Sequence, residues 1–324
     1  MNNSLSLVEV GEAVSRTESR IRPYVLDTPL KISPKFGELC EARVFFKYEN
    51  LQRTSSFKVR GATNALLSLS EEERCRGVVT ASTGNHGIAI ACVSNRLGVR
   101  ATIFVPVDSS PIKVDHMRRL GGNVREQGVD GVQAEVHARK YAAAIGSHYV
   151  SPYNDPDVLV GQGTVGCEIY RHLPEADTIF VAVGGGGLIS GMGAYLTRSN
   201  PGINMIGCSP ENSAVMVSSL RKGRLLQITS KETISDGTAG GIESGSITFD
   251  LCRELVPDLE TVREKEIIEA LRLFIDCHGM PIEGAAAVAV ASLLKRRESI
   301  KGSCVVVVLC GGNIDPDNLK RAVS

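Results

Sequence analysis

Neither sign of charge is in excess in this chain of 324 residues: Lys and Arg total 36, and so do Asp and Glu. A net charge of zero supplies no basic surface for a nucleic-acid backbone or an anionic membrane, so neither is expected as a partner. Long apolar runs are also missing. The longest, such as VVVVL at 305–309, fall far short of the roughly 20 residues that span a bilayer. The first residues, MNNSLSLVEVGEAVSRTESR, mix charge into every turn, which excludes the apolar stretch of a secretory signal and reads as an amphipathic helix. The expectation is a soluble, cytoplasmic protein. Nine cysteines are present, at 40, 75, 92, 167, 208, 252, 277, 304 and 310, with no CxxC pair among them. That odd, scattered set excludes a disulfide framework or a zinc knuckle and fits free, mostly buried thiols in a reducing compartment. No Pro/Gly/Ser-rich linker, charge block, internal repeat or low-complexity stretch interrupts the chain.

What is present is globular: 43% hydrophobic and 22% charged residues, in a chain long enough for two lobes or one large unit. Short β-branched runs alternate with helical stretches of ten or more residues. The expected strands are Val44 to Tyr48, Val78 to Ala81, Ala101 to Val105, Thr178 to Val183, Met205 to Cys208 and Ser303 to Leu309. Several are almost wholly apolar, as strands are when helices cover both sheet faces. The fold class is therefore α/β, with open, twisted, mostly parallel sheets flanked by helices. A compact β-α-β-α-β-α run over residues 77–151 is expected to close a small domain. Residues 1–76 and 152–324 then form the large one, and the cleft between the two is the default ligand site.

Four segments carry chemistry. Gly184, Gly185, Gly186 and Gly187 follow the apolar strand TIFVAV and open a helix at Leu188; backbone N–H groups freed of side chains at a helix N-terminus suit a phosphate. Neither a Walker lysine nor the GxGxxG spacing accompanies them, and close helix packing is the alternative. In SSFKVRGA at 55–62, Lys58 is a candidate for Schiff-base chemistry if desolvated. In ASTGNHGIA at 81–89, a strand breaks into hydroxyls, an amide and free N–H groups at its C-terminal end. Open α/β sheets bind ligands there, and a carboxylate fits; a plain cap by Ser82 or Thr83 is the alternative. His86 has no second ligand at metal spacing and reads as a hydrogen-bonding core residue. In CGGN at 310–313, Cys310 has no basic sequence neighbour and reads as a weak hydrogen-bonding group rather than a nucleophile. A phosphate cradle, a lysine, a carboxylate turn and a thiol, all at strand ends facing one cleft, suit pyridoxal phosphate with an amino-acid substrate.

With these motifs in order, joined by TPLKISP, KYENLQRT and NDPDVLVGQGT, nearly the whole chain resembles the fold-type II pyridoxal-phosphate enzymes, in particular the serine/threonine dehydratase and serine racemase group. The resemblance implies the tryptophan synthase beta-like fold and a homodimer or homotetramer. It implies that Lys58 bonds the cofactor, Phe57 packs on its ring, Asn85 meets the ring hydroxyl, Gly184 to Gly187 with Leu188 hold its phosphate, and Cys310 faces the ring nitrogen. Ser82, Thr83, Gly84, Asn85 and His86 would surround the substrate carboxylate. Glu283 resembles an acidic residue beside the ring, with a dipole-favoured helix N-terminal carboxylate as the alternative. The neutral ring-nitrogen partner suits β-elimination, so the implied reaction turns a β-hydroxy amino acid, L-threonine or L-serine first, into a 2-oxo acid and ammonia.

Departures from the pattern bound the transfer. Serine racemases carry a serine at the position of Thr83, the base on the opposite substrate face, which makes racemisation the runner-up. The metal-holding acids of those relatives are replaced in CSPENSAVM by Ser209 and Val215, so no metal is expected. His86 stands where cysteine-synthase relatives have a threonine, against β-replacement. Asp236, Thr238 and Glu243, in a segment loosely like a substrate-side loop, receive no assignment. The chain ends soon after CGGNID, and no regulatory domain for feedback by isoleucine is expected. A hydroxyaspartate-type substrate is a further alternative, and a non-catalytic amino-acid-binding relative is the alternative from another class.

Overall fold

A computed structural model of the chain describes residues 6–323. Among the described residues there are ten strands: β1 (Leu30–Ile32), β2 (Arg43–Lys47), β3 (Val78–Ala81), β4 (Ala101–Val105), β5 (Asn123–Glu126), β6 (His148–Tyr149), β7 (Thr178–Ala182), β8 (Asn204–Pro210), β9 (Asp258–Val262) and β10 (Cys304–Val308). They form a six-stranded sheet in the order β1-β2-β10-β7-β8-β9 and a four-stranded sheet in the order β5-β4-β3-β6. Every pairing is parallel except β1 with β2. The α/β class and the two mostly parallel sheets are as the sequence implies. The first strand expected along the chain, Val44 to Tyr48, is β2, and the antiparallel edge strand β1 precedes it.

Side-chain chemistry explains which strands lie where. In β7 and β10 every residue is buried, and TIFVA and CVVVV carry the β-branched groups that suit a sheet covered on both faces. One covering helix, Gly284–Lys295, is made of small apolar residues with Gly284 to Leu293 buried, and lies against β7. In the smaller sheet, alternation divides β4 between two cores. Ile103 and Val105 join Ile88, Ala91, Val114 and Met117 on one face, while Phe104 joins Val79, Ala134, Ala138 and Ala142 on the other.

The N-terminal helix Leu7–Ile21 begins with a capping box between Ser6 and Glu9 and buries Val10, Val14 and Ile21, the amphipathic stripe expected of it. Among the described residues no helix is long and apolar enough to cross a membrane. A buried ionic cluster underlies the helix Lys58–Ser68. Arg60 bonds Glu49 and Glu168 at 2.8 Å each, and Lys47 bonds Glu168 and the Thr28 carbonyl, with all four ionic side chains fully enclosed. Two anions and two cations leave no net charge in a medium that tolerates none.

Candidate active site

The C-terminal ends of the strands from both sheets face a cavity of about 450 Å³. Each residue given a role from the sequence lines it: Phe57, Lys58, Ser82, Thr83, Gly84, Asn85, His86, Gly184 to Leu188, Glu283 and Cys310. Lysine, turn, glycine run and thiol are thus brought together from segments up to about 250 residues apart.

Lys58 begins its helix, and its Nζ donates to the Pro152 carbonyl at 2.8 Å and lies 5.1 Å from the centre of the Phe57 ring. Burial lowers its pKa to about 8, against the opposing influence of Cys310 and Glu283. An amine so depressed is a far better nucleophile and base near neutrality than a solvated lysine. The loop before it is tied to the end of β10 by Phe57 N–H to the Cys310 carbonyl at 3.1 Å and Gly312 N–H to the Ser55 carbonyl at 2.8 Å.

The glycine run opens the helix Gly187–Ser199 without any side-chain cap. Two of its members have no room for a side chain: a Cβ on Gly185 would lie 2.3 Å from the Tyr153 ring, and Gly186 has φ of +86°. The turn after β3 likewise opens the helix Asn85–Leu97 with Gly84 as its cap residue and no capping side chain. The plain-cap alternative for Ser82 or Thr83 is therefore not realised; Ser82 Oγ instead accepts from Gly84 N–H at 3.2 Å. Two uncapped N-termini aim donors into one cavity, a site for two anionic groups.

His86 is buried, pairs Nε2 with the Val150 carbonyl at 3.2 Å, and leaves Nδ1 without a protein partner. Burial, with the Lys58 charge, drives its pKa down to about 3, so it is a neutral ring. Glu283 is the cap residue of the helix Gly284–Lys295, yet its carboxyl caps nothing. It turns toward Asn85 Nδ2 at 2.8 Å and Cys310 Sγ at 3.6 Å. Burial and the Asp236 charge raise it to about 7, while burial and Glu283 push the Cys310 thiol well above its usual range. Cys310 is a neutral thiol here, not a nucleophile.

Of the three unassigned residues, Asp236 and Thr238 line the cavity and Glu243 does not. Asp236 meets Lys113 at 2.9 Å; Glu243 meets Arg139 at 2.6 Å and accepts from Ser151 and Asn154. Sequence reasoning also gives no role to Tyr153, Lys113, His116 and Asn313, which line the same cavity. Only Tyr153 and Asn313 lie inside or beside a segment, NDPDVLVGQGT or CGGN, that marks the site at all.

Residues 21–311 match the family described as pyridoxal-phosphate dependent enzyme. An L-threonine ammonia-lyase of Thermotoga maritima is 38% identical over 97% of this chain and 78% of its own length. A serine racemase of Arabidopsis thaliana is 34% identical over 95% of this chain and 94% of its own. Among solved structures, the processed form of threonine deaminase isoform 2 from Solanum lycopersicum superposes with a TM-score of 0.92 at 33% identity, over 97% of this chain and 92% of that one.

Proposed function

Because the chain belongs to the pyridoxal-phosphate-dependent enzyme family, we propose that it is an ammonia-lyase acting on a β-hydroxy amino acid, L-threonine or L-serine first, to give a 2-oxo acid and ammonia. Threonine ammonia-lyases and threonine deaminases among its relatives support the reaction class. The observation that carries the reading is the desolvated amine of Lys58 in one cavity with an uncapped, side-chain-free glycine cradle.

The residues present fit the cofactor. A Cβ at Gly185 would be blocked by Tyr153, so the cradle offers backbone alone, as a phosphate needs. Nε2 of the neutral His86 ring gives its hydrogen to the Val150 carbonyl, so its orphaned Nδ1 is an acceptor open to a donor group of a ligand, and His86 meets an anion through its main-chain N–H. In this reading Gly184 to Gly187 and Leu188 hold the phosphate, Phe57 packs on the ring, Asn85 meets the ring hydroxyl and Cys310 the ring nitrogen. Pyridoxal phosphate, when bound, supplies an electron-withdrawing ring that stabilises negative charge at the substrate α-carbon.

The chain's own residues do the rest. Ser82, Thr83, Gly84, Asn85 and His86 receive the substrate carboxylate at the uncapped N-terminus of Asn85–Leu97, which fixes the α-carbon. The Lys58 Nζ, neutral in an appreciable fraction at working pH, takes the α-proton. The neutral Cys310 thiol would leave the ring a moderate electron acceptor, which suits β-elimination; the β-hydroxyl leaves as water by gaining one proton, balanced by the α-proton that Lys58 accepts. Residues 77–151 form the wall of the cleft that carries the carboxylate turn, and residues 1–76 and 152–324 the wall that carries lysine, cradle and thiol. The assembly proposed is a homodimer or homotetramer.

The deciding experiment follows 2-oxo acid and ammonia release from L- and D-forms of serine, threonine and 3-hydroxyaspartate, with the cofactor spectrum recorded together. Turnover of L-threonine or L-serine is expected. Lys58→Ala should abolish both turnover and the visible band of protein-bound cofactor without unfolding the protein; a borohydride-fixed cofactor on another lysine would overturn the assignment.

A further inference from the structure

Behind the residues proposed to touch the ring runs a second row of hydrogen bonds. Asn313 Nδ2 donates to the Thr54 carbonyl at 2.9 Å and to Asn85 Oδ1 at 2.7 Å; Asn85 Nδ2 donates to Glu283 Oε2 at 2.8 Å; and Cys310 Sγ lies 3.6 Å from Glu283 Oε1. Glu283 is 3% exposed and wedged between glycines: a Cβ on Gly311 would come within 2.5 Å of its carboxyl carbon, and one on Gly237 within 3.5 Å of Oε1. Its main-chain N–H is bound to the Gly311 carbonyl at 3.1 Å. A carboxyl group held this firmly, with one oxygen on Asn85 and the other beside Cys310, makes no bond to its own helix and is not serving as a helix cap.

We infer that Glu283 is a positioning residue whose one carboxyl group sets the hydrogen-bonding direction of Asn85 and of Cys310 together, and so fixes what two edges of the cofactor ring meet. This rests on the pyridoxal-phosphate reading of the cavity and goes beyond it by assigning a control residue behind the ring contacts. The amide of Asn85 has no freedom to flip, since its oxygen accepts from Asn313 and its nitrogen donates to Glu283. One amide hydrogen is left for a ligand. Cys310 is different, because its direction depends on the proton count of Glu283. Facing a carboxylate, the thiol gives its hydrogen to Oε1 and turns only sulfur lone pairs to the ring. Facing a carboxylic acid, the thiol accepts from the acid O–H, and its own hydrogen is free to bond a ring nitrogen.

The groups that face this carboxyl come from every surrounding element: Asn85 from its helix, Cys310 from the end of β10, Lys58 from the start of Lys58–Ser68, Asp236 from the segment beside Gly237, and Lys113 from the helix Pro111–Arg119. Burial and Asp236 favour the acid, while Asn85, Cys310 and Lys113 favour the anion, and the balance lies at about 7. The two states of the thiol therefore exchange across neutral pH.

The test uses the whole protein, with and without cofactor. Wild type loaded with pyridoxal phosphate should show a change in its visible spectrum across the neutral range, and Glu283→Gln, which keeps the shape but cannot titrate, should abolish it. In the cofactor-free proteins, iodoacetamide should label Cys310 about fivefold faster or more at pH 8 in Glu283→Gln, because removal of an adjacent negative charge lowers the thiol pKa; peptide mass spectrometry separates Cys310 from the other cysteines. An unchanged spectral transition together with unchanged labelling overturns the role of Glu283, whereas a wild type that forms no visible band overturns the cofactor reading itself. Should Glu283→Gln fail to fold, Cys310→Ala carries the same question: the neutral transition must vanish with the thiol, and its persistence sinks the inference.

Discussion

A threonine carries two substituents on Cβ and is stiffer about χ1 than a serine, which gives one methyl group at Thr83 a mechanistic consequence. Thr83 is exposed within the cavity, in the turn after β3 and apart from Lys58 in sequence by 25 positions. If, as the resemblance implies, Thr83 lies on the face opposite the lysine, its hydroxyl can return a proton to the α-carbon only by swinging into line, and the γ-methyl restricts that swing. Thr83→Ser is expected to raise racemisation relative to elimination by about tenfold, a modest share of what a positioned acid–base group supplies. Chiral chromatography of recovered L-serine beside 2-oxo acid release measures the ratio, and an unchanged ratio would remove Thr83 from the reactive face. Such motif residues are legible because the chemistry that selects them is local: glycine where a backbone must be bare, hydroxyls and an amide at a strand end. Tyr153 and Asn313 lie beside or inside marked segments, but their own residue types carry no such signal. Their value comes from partners far away, such as Asn85 to Asn313 and Gly185 to Tyr153, and residue type alone does not announce a neighbour at that distance.

The helix Lys58–Ser68 shows how an element is aimed. Arg60 lies two residues beyond the lysine, fully enclosed, with Glu49 at 2.8 Å on one side and Glu168 at 2.8 Å on the other. Glu49 also takes the Thr28 hydroxyl and Glu168 the Lys47 ammonium, so the start of the helix is bolted to β2, to the turn after it and to the helix Pro156–His172. Arg60→Ala would leave Glu168 with Lys47 and the partly exposed Arg22 but strip the buried Glu49 carboxylate of its only ion-pair partner among the described residues, a loss of about 3–5 kcal/mol. Urea denaturation of the cofactor-free protein measures it; a loss below about 1 kcal/mol would mean that apolar contacts alone dock this helix. The sequence exposes an arginine after the lysine but not its burial, since charged residues are rarely enclosed. Strands follow the same logic. The six apolar ones, β2, β3, β4, β7, β8 and β10, are legible because burial on both faces demands continuous β-branched runs. Missing from that reading are β1 and β6, of three and two residues, together with the polar edges NVRE of β5 and DLETV of β9. An edge strand buries one face or none, so its side chains do not mark it.

Across the molecule, the two sheets are linked over the cavity by residues 235–246. Asp236 in that segment bonds Lys113, and Glu243 bonds Arg139, both partners lying on helices that pack against the four-stranded sheet. Glu243 further accepts from Ser151 Oγ at 3.2 Å and Asn154 Nδ2 at 3.0 Å, while its own N–H meets the Tyr153 hydroxyl at 2.9 Å. Tyr153 in turn lies against Gly185 of the glycine run, so the main chain at residue 243, held in place by its carboxylate outside the cavity, braces a wall of the anion cradle inside it. An exposed ion pair alone contributes about 0–1 kcal/mol, but a half-buried carboxylate with three donors is worth somewhat more, about 1–2 kcal/mol. Glu243→Gln keeps one acceptor and loses the charge that Arg139 seeks. Local opening of residues 235–246 should then become about tenfold more populated, because 1.4 kcal/mol is tenfold in an opening equilibrium. Hydrogen exchange followed by mass spectrometry should report faster exchange there and around Tyr153, with β7 and β10 unchanged, since these central strands do not depend on the latch. Pyridoxal phosphate should bind more weakly by a smaller factor, because the bare glycine backbone remains in place. Exchange at residues 235–246 equal to wild type would show that the segment is held by its own turns and not by the two-sheet bridge.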